Sequence, residues 1–176
     1  MGVSVYDADS HAKRLMTTDG ILVSEIKKEF GELSYNSDGS LNRNYLGSTV
    51  FNDPERLKTL NKLVHPRVGM HYKQWVDQKK NHPYVLKEAA LLFESGVNQS
   101  MDKVIVVYAN EELRIQRVLK RDSHRNEDQV LAIMENQMSE EEKMKRADFI
   151  IRNDETMLLI PQVVELHHRF ITMQSF

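Results

Sequence analysis

The chain has 176 residues, 40% of them hydrophobic and 28% charged, with a formal net charge of -2 and no cysteine. That length fits one domain, with room for a small inserted subdomain, and the near-neutral balance gives no support for bulk binding to nucleic acid or to an anionic membrane. Disulfides, thiolate zinc sites and cysteine nucleophiles are excluded, no window approaches the length of an apolar membrane span, the first residues lack the layout of a signal peptide, and the expected location is the cytoplasm.

In chain order, Val3, Val5 and Tyr6 predict a short buried strand, with Asp7 and Asp9 at its carboxyl end. Residues 9–16 and 20–30 carry helical spacing, and NSDGS (36–40) is a loop built from turn residues. Asn52-Asp53-Pro54 predicts a helix start, with proline in the first turn. Leu57, Leu60, Leu63 and Val64 form an apolar stripe that Pro66 is expected to interrupt, so residues 67–80 are predicted as a separate amphipathic helix. Tyr84-Val85-Leu86, ending in Lys87-Glu88, reads as a second strand, and the β-branched run 104–108 as a third, covered on both faces. A helix is predicted over 110–122 and a capping box at Ser139 and Glu142. Phe149-Ile150-Ile151 is a fourth strand, and 156–173 a final helix. Strands alternating with helices predict an α/β layered fold with a parallel sheet. The long helical block from 20 to 80 reads as a subdomain inserted between two strands.

Several groups could carry chemistry. Asp7 and Asp9 stand where open α/β sheets bind ligands. They could take a proton from a hydroxyl or hold waters around magnesium; equally, Asp9 or Ser10 could simply cap a helix. Glu88, at the next strand end, could hold a magnesium-bound water. Arg114, Arg117, Arg121 and Arg125 recur along one helical face and its continuation, suited either to phosphate oxygens or to pairing with Glu111, Glu112 and Asp122. His65 precedes a proline, which predicts a turn that takes its ring out of a helix. Leu91, Leu92 and Phe93 read as core or pocket wall, and no histidine spacing predicts a metal site.

The ordered series DAD (7–9), DGSLNR (38–43), VFNDP (50–54), LNKLVHPRV (60–68), ALLFESG (90–96), VIVVYA (104–109), QRVLKRD (116–122) and NQMSEEEKMKRADFIIRND (136–154) resembles the dephospho-CoA kinase family. Each piece is weak alone; their joint order over nearly the whole chain is specific. The resemblance implies a P-loop kinase-like three-layer αβα fold, with a helical CoA-binding subdomain at 20–80 and a helical lid at 112–146. It implies transfer of the ATP γ-phosphate to the ribose 3′-hydroxyl of dephospho-CoA, with ATP and Mg2+ required.

By the same resemblance, Asp9 is the general base and Asp7 its support or part of the magnesium shell. Leu41, Arg43, His65, Pro66, Arg67, Phe93 and Glu94 belong to the substrate pocket. Arg117 and Arg121 open the lid over ATP, and Asn153 lies near the adenine. Ala90 stands where the family often has proline, Glu155 where it often has glycine, and Ile133-Met134 where the lid usually carries an arginine.

Members of the family begin with a strand and a GxxxxGK[ST] phosphate loop, and no such motif occurs in these 176 residues. The expectation is therefore that the first, central strand, the loop and most of a helix are missing, so that the chain as given is inactive and either closes the gap by rearrangement or self-associates through exposed sheet edges. Alternative readings are a nucleoside-monophosphate-type kinase of the same fold, and a non-catalytic binding or assembly protein that has lost the loop.

Overall fold

The computed structural model describes residues 2–51 and 53–173. They form two compact units, Gly2–Ala89 and Ala90–Phe176, each with its own parallel strand pair.

In the first unit, β1 (Ser4–Asp7) lies parallel to β2 (Val85–Glu88), in a register running from Ser4 opposite Val85 to Asp7 opposite Glu88. Parallel strands need a crossover, and here it is entirely helical: α1 (Ala8–Thr18), α2 (Gly20–Phe30), α3 (Arg43–Phe51) and α4 (Pro54–Asp77). Asp19 ends α1 and caps α2, its Oδ1 accepting from the backbone N–H of Ile21 and Leu22 at 3.1 Å each. Gly31 closes α2 at φ 89°, in the left-handed half of φ space that glycine enters without penalty. Asp53 caps α4, with Pro54 at its first position as the sequence predicts; Asn52 lies outside the described residues.

Pro66 does not interrupt the helix. α4 runs unbroken through it for 24 residues. Proline removes one N–H from a helix interior and crowds the preceding turn, at a cost of about 3 kcal/mol. Leu60, Val64 and Val68 recur every four residues and are all buried, so both halves must present one face to the same core. Packing outweighs the local break, and His65 lies within the helix after all.

That core gathers Tyr6, Leu15, Leu22, Ile26, Phe30, Leu46 and the α4 stripe, with Tyr72 and Trp75 packed against it. The fully buried Tyr6 ring meets Tyr72 and Trp75 edge-on, at 5.0 and 5.4 Å between centroids. Half-buried Arg67 donates through Nε (2.8 Å) and Nη2 to Asp19 Oδ2, tying α4 to the α1–α2 junction.

In the second unit, β3 (Ile105–Tyr108) lies parallel to β4 (Phe149–Arg152). The crossover carries α5 (Glu111–Arg121), α6 (Glu127–Glu135) and α7 (Glu140–Arg146), and α8 (Leu159–Thr172) follows β4. Ser139 caps α7, accepting from the Glu142 N–H at 3.3 Å. The reciprocal capping box forms instead at Asn126 and Gln129, opening α6, which the sequence reading did not predict. Among the described residues the four strands make two parallel pairs, β1 with β2 and β3 with β4. The core here is small, centred on Phe93, Val104 and Val106.

Candidate active site

The first unit brings three carboxylates to the carboxyl end of its strand pair. Asp7 ends β1 and caps α1, Asp9 lies in the first turn of α1, and Glu88 ends β2 directly opposite Asp7. Asp7 Oδ1 accepts from the Ser10 N–H at 2.9 Å and Oδ2 from the Ser10 hydroxyl at 2.6 Å. Those two bonds, the hydroxyl first, hold the Asp7 carboxyl below its ordinary value. Glu88 moves the other way: burial pushes its carboxyl up, and the negative charges of Asp9 and Asp7 add to the rise. Carboxylates whose environments drive them apart are suited to different roles in one proton transfer.

Among the described residues no group of three or more acids and histidines lies close enough to hold a metal directly. Magnesium commonly takes one or two carboxylates and keeps several waters. Asp7 and Glu88 fit that water-mediated role.

Beside the acids stands a cation that sequence reasoning missed. Lys87, on β2 opposite Tyr6, puts its ammonium 4.3 Å from the centre of the Tyr72 ring, and burial holds its pKa below the ordinary value. A lysine directly after the apolar run Tyr84–Leu86, within the same strand, was the available signal. His65 is exposed on α4, yet loss of water on its inner flank and then the charge of Lys87 push its pKa down. The other substrate residues expected in this unit divide. Leu41 packs against the core and Arg67 is committed to Asp19. Arg43 is exposed at the first position of α3, with no ion pair among the described residues. A cation there opposes the helix dipole and is available to an anion.

In the second unit, Phe93 is a core residue. Glu94 accepts from the Met138 N–H at 2.8 Å, with Lys143 Nζ at 3.8 Å. Arg117 and Asn153 are brought together: Arg117 Nη1 donates to the Asn153 carbonyl at 2.7 Å, and Nη2 lies 3.3 Å from Glu155. Arg121 pairs with its neighbour Asp122 at 2.9 Å, Arg125 approaches the same carboxylate at 3.5 Å, and Arg114 pairs with Glu140 at 3.1 Å. Each guanidinium of the stripe thus has an acidic partner, so a phosphate would have to exchange with carboxylates already in place. A cavity of about 590 Å³ lies between β3, α5, α6 and α7, with Arg114, Met134, Met138 and Glu140 in its wall.

Parallel strand pairs crossed over by helices, with acids at the carboxyl strand ends, define the ligand-binding plan of an open α/β protein. The structure is similar to the crystal structure of TT1252 from Thermus thermophilus, at a TM-score of 0.83 and 33% identity over 96% of this chain and 84% of that one. It is similar also to the dephospho-CoA kinase of Campylobacter jejuni, at a TM-score of 0.69 and 27% identity over 98% of this chain and 87% of that one. The family model for dephospho-CoA kinase matches residues 1–158. A dephospho-CoA kinase of Bacteroides fragilis is 38% identical over 166 residues, which are 94% of this chain and 80% of the relative. The chain belongs to the dephospho-CoA kinase family.

Proposed function

We propose that the chain serves transfer of the ATP γ-phosphate to the ribose 3′-hydroxyl of dephospho-CoA, and that the Gly2–Ala89 unit carries the acceptor side of the reaction. The observation that carries this reading is the convergence of Asp7, Asp9 and Glu88 at the end of the β1–β2 pair. Asp9, exposed and in the first turn of α1, takes the proton of the attacking hydroxyl. Asp7, already bound by Ser10, orients the start of the helix that presents Asp9. Magnesium, when bound with the nucleotide, neutralises phosphate charge, and Asp7 and Glu88 would meet it through waters. Arg43, His65 and Lys87 supply positive or hydrogen-bonding groups around the acceptor. Arg117, with Asn153 beside it, is the nucleotide-side candidate; Arg121 reaches phosphate by releasing Asp122.

The 176 residues contain no GxxxxGK[ST] motif, whose backbone amides and lysine otherwise grip the β- and γ-phosphates. Hypothesis: this chain binds dephospho-CoA in calorimetry while its ATP affinity and turnover stay low. ATP-dependent production of CoA at the rate of the Campylobacter enzyme would refute that expectation. Where turnover is measurable, Asp9→Asn lowers kcat by about 10²- to 10⁴-fold with KM little changed. An unchanged kcat removes Asp9 from the role of base.

A further inference from the structure

A second constellation shares the α1 face that begins at Asp7. His11 and Arg14 follow Asp7 by four and seven residues, which places all three on one side of the helix. One nitrogen of Arg14, Nη2, serves two imidazoles, with His71 Nε2 at 2.9 Å and His11 Nδ1 at 3.2 Å. A guanidinium only donates, so both ring nitrogens accept and carry no proton. His71 therefore has its proton on Nδ1, where it donates to Tyr6 Oη at 2.9 Å, and the Tyr6 hydroxyl turns to the Val68 carbonyl at 3.4 Å. The Tyr6 and His11 rings stack at 4.1 Å and those of His11 and His71 lie 4.8 Å apart, so the partners are held from both sides.

The arrangement lacks a counter-ion. Arg14 is exposed and has no carboxylate partner among the described residues, and nothing there accepts from its Nη1 or Nε. Three donors of a fixed planar fork thus point away from the two rings that orient it. The arginines of the second unit all face carboxylates; this one is braced by imidazoles and left open. A structural role alone would be better met by an acid at either histidine position.

We propose that Arg14, oriented by His11 and His71, is a binding subsite for a diphosphate group, and that its occupant is the diphosphate of the acceptor substrate. The identity of the occupant rests on the acceptor reading of the Gly2–Ala89 unit; the anion site itself does not. Seven residues of helix separate Asp7 from Arg14 by roughly 10 Å along the axis. An acceptor that presents its hydroxyl to the acids at one end of this face can place an anionic group at the other. The histidines add a proton linkage. Burial, then the charge of Arg14, lowers the pKa of His71; burial, then His71 and Arg14, lowers that of His11, against a small opposing effect of Asp7. Around the pair stand Tyr6 and Asp7 from β1 and Arg14 from α1. Protonation of either ring puts a proton on the nitrogen that accepts from Arg14 and releases the guanidinium, so the brace weakens as pH falls through the histidine range.

Calorimetric titrations of the whole chain with inorganic pyrophosphate, dephospho-CoA and ATP test this, each for the native chain, Arg14→Gln, His71→Gln and the neighbouring control Lys13→Gln. Arg14→Gln is expected to weaken pyrophosphate and dephospho-CoA by about tenfold or more, the effect of one or two charge-assisted bonds, with ATP and the Lys13→Gln control changed less than about threefold, as expected of a screened surface charge. His71→Gln, which removes one of the two rings whose protonation releases Arg14, is expected to weaken pyrophosphate and to reduce the pH dependence of its affinity, read from titrations above and below the histidine range. Equal pyrophosphate affinity in the native and Arg14→Gln chains overturns the site. Loss of pyrophosphate binding with dephospho-CoA unaffected overturns the assignment to the acceptor. If dephospho-CoA fails to bind the native chain while pyrophosphate binds through Arg14, the proposed function falls and the anion site stands.

Discussion

The two units are held together by different physics. In Gly2–Ala89, helices α1, α2 and α4 bury a continuous apolar face over the strand pair, and Tyr6, Leu22 and Ile26 are fully enclosed. In Ala90–Phe176 the buried cluster is little more than Phe93, Val104 and Val106, while Leu158 and Ile160 remain 79% and 75% exposed. What the second unit lacks in core it replaces with ion pairs such as Arg114–Glu140 and Lys103–Asp148. Hydrophobic burial grows with enclosed area, whereas partly exposed ion pairs contribute little each. The acids of the candidate site therefore stand on the unit with the larger apolar core, and the paired arginines on the one with the smaller core.

Mutation can break this contrast. Ile26→Ala is expected to cost about 3–4 kcal/mol, because the surrounding helices cannot close the cavity; Val106→Ala, in the smaller cluster, about 1–2 kcal/mol. Hydrogen exchange on each unit reads both, and equal losses would contradict the difference drawn here. Asp19→Ala removes a helix cap and leaves half-buried Arg67 without its carboxylate, and should cost about 2 kcal/mol in denaturant unfolding.

The same carboxylate sets an acid limit. Burial pushes the Asp19 pKa up, but the Leu22 N–H and Arg67 outweigh it and hold the folded value below 3.8. Its stabilisation is present above the unfolded value and is lost as pH falls through the folded one, so Asp19→Asn should flatten the loss of stability as pH falls below about 4.

Finer effects follow at the site and in the second unit. Asp9→Asn removes one of the charges that raise Glu88, so the Glu88 pKa should fall toward its ordinary value in an NMR titration. No movement would place the two acids too far apart to act together. The smallest effect is a gain. Glu155 has φ 68°, in the left-handed region that side chains pay to enter, so Glu155→Gly should raise stability by about 0.5–1 kcal/mol despite losing its exposed contact with Arg117.

Local chemistry made much of this readable in the sequence. The strands at 4–7, 85–88, 105–108 and 149–152 show as short apolar or β-branched runs, but the cover on both faces that the 104–108 run suggests is not met: Val107 is exposed there, as are Val5 in β1 and Ile150 in β4. Asp53-Pro54 and Ser139 mark helix starts, since a cap is a contact between near neighbours. The left-handed position at 155 was legible as a departure from the family's usual glycine. Asp7, Asp9 and Glu88 could be placed together because parallel strands end at the same edge of a sheet.

Tertiary structure decided the rest. By itself the sequence determined which segments are strands, which residues cap the helices and which family the chain resembles, all properties of neighbours along the chain or of motif order. It did not reveal that α4 runs straight through Pro66, that Arg67 is committed to Asp19 across 48 residues, or that Glu94 accepts from the Met138 N–H across 44 residues. Nor did it show His71 meeting Arg14 across 57 residues. Each of these depends on contacts between distant segments, and such contacts exist only once packing against a shared core outweighs the local preference of the chain.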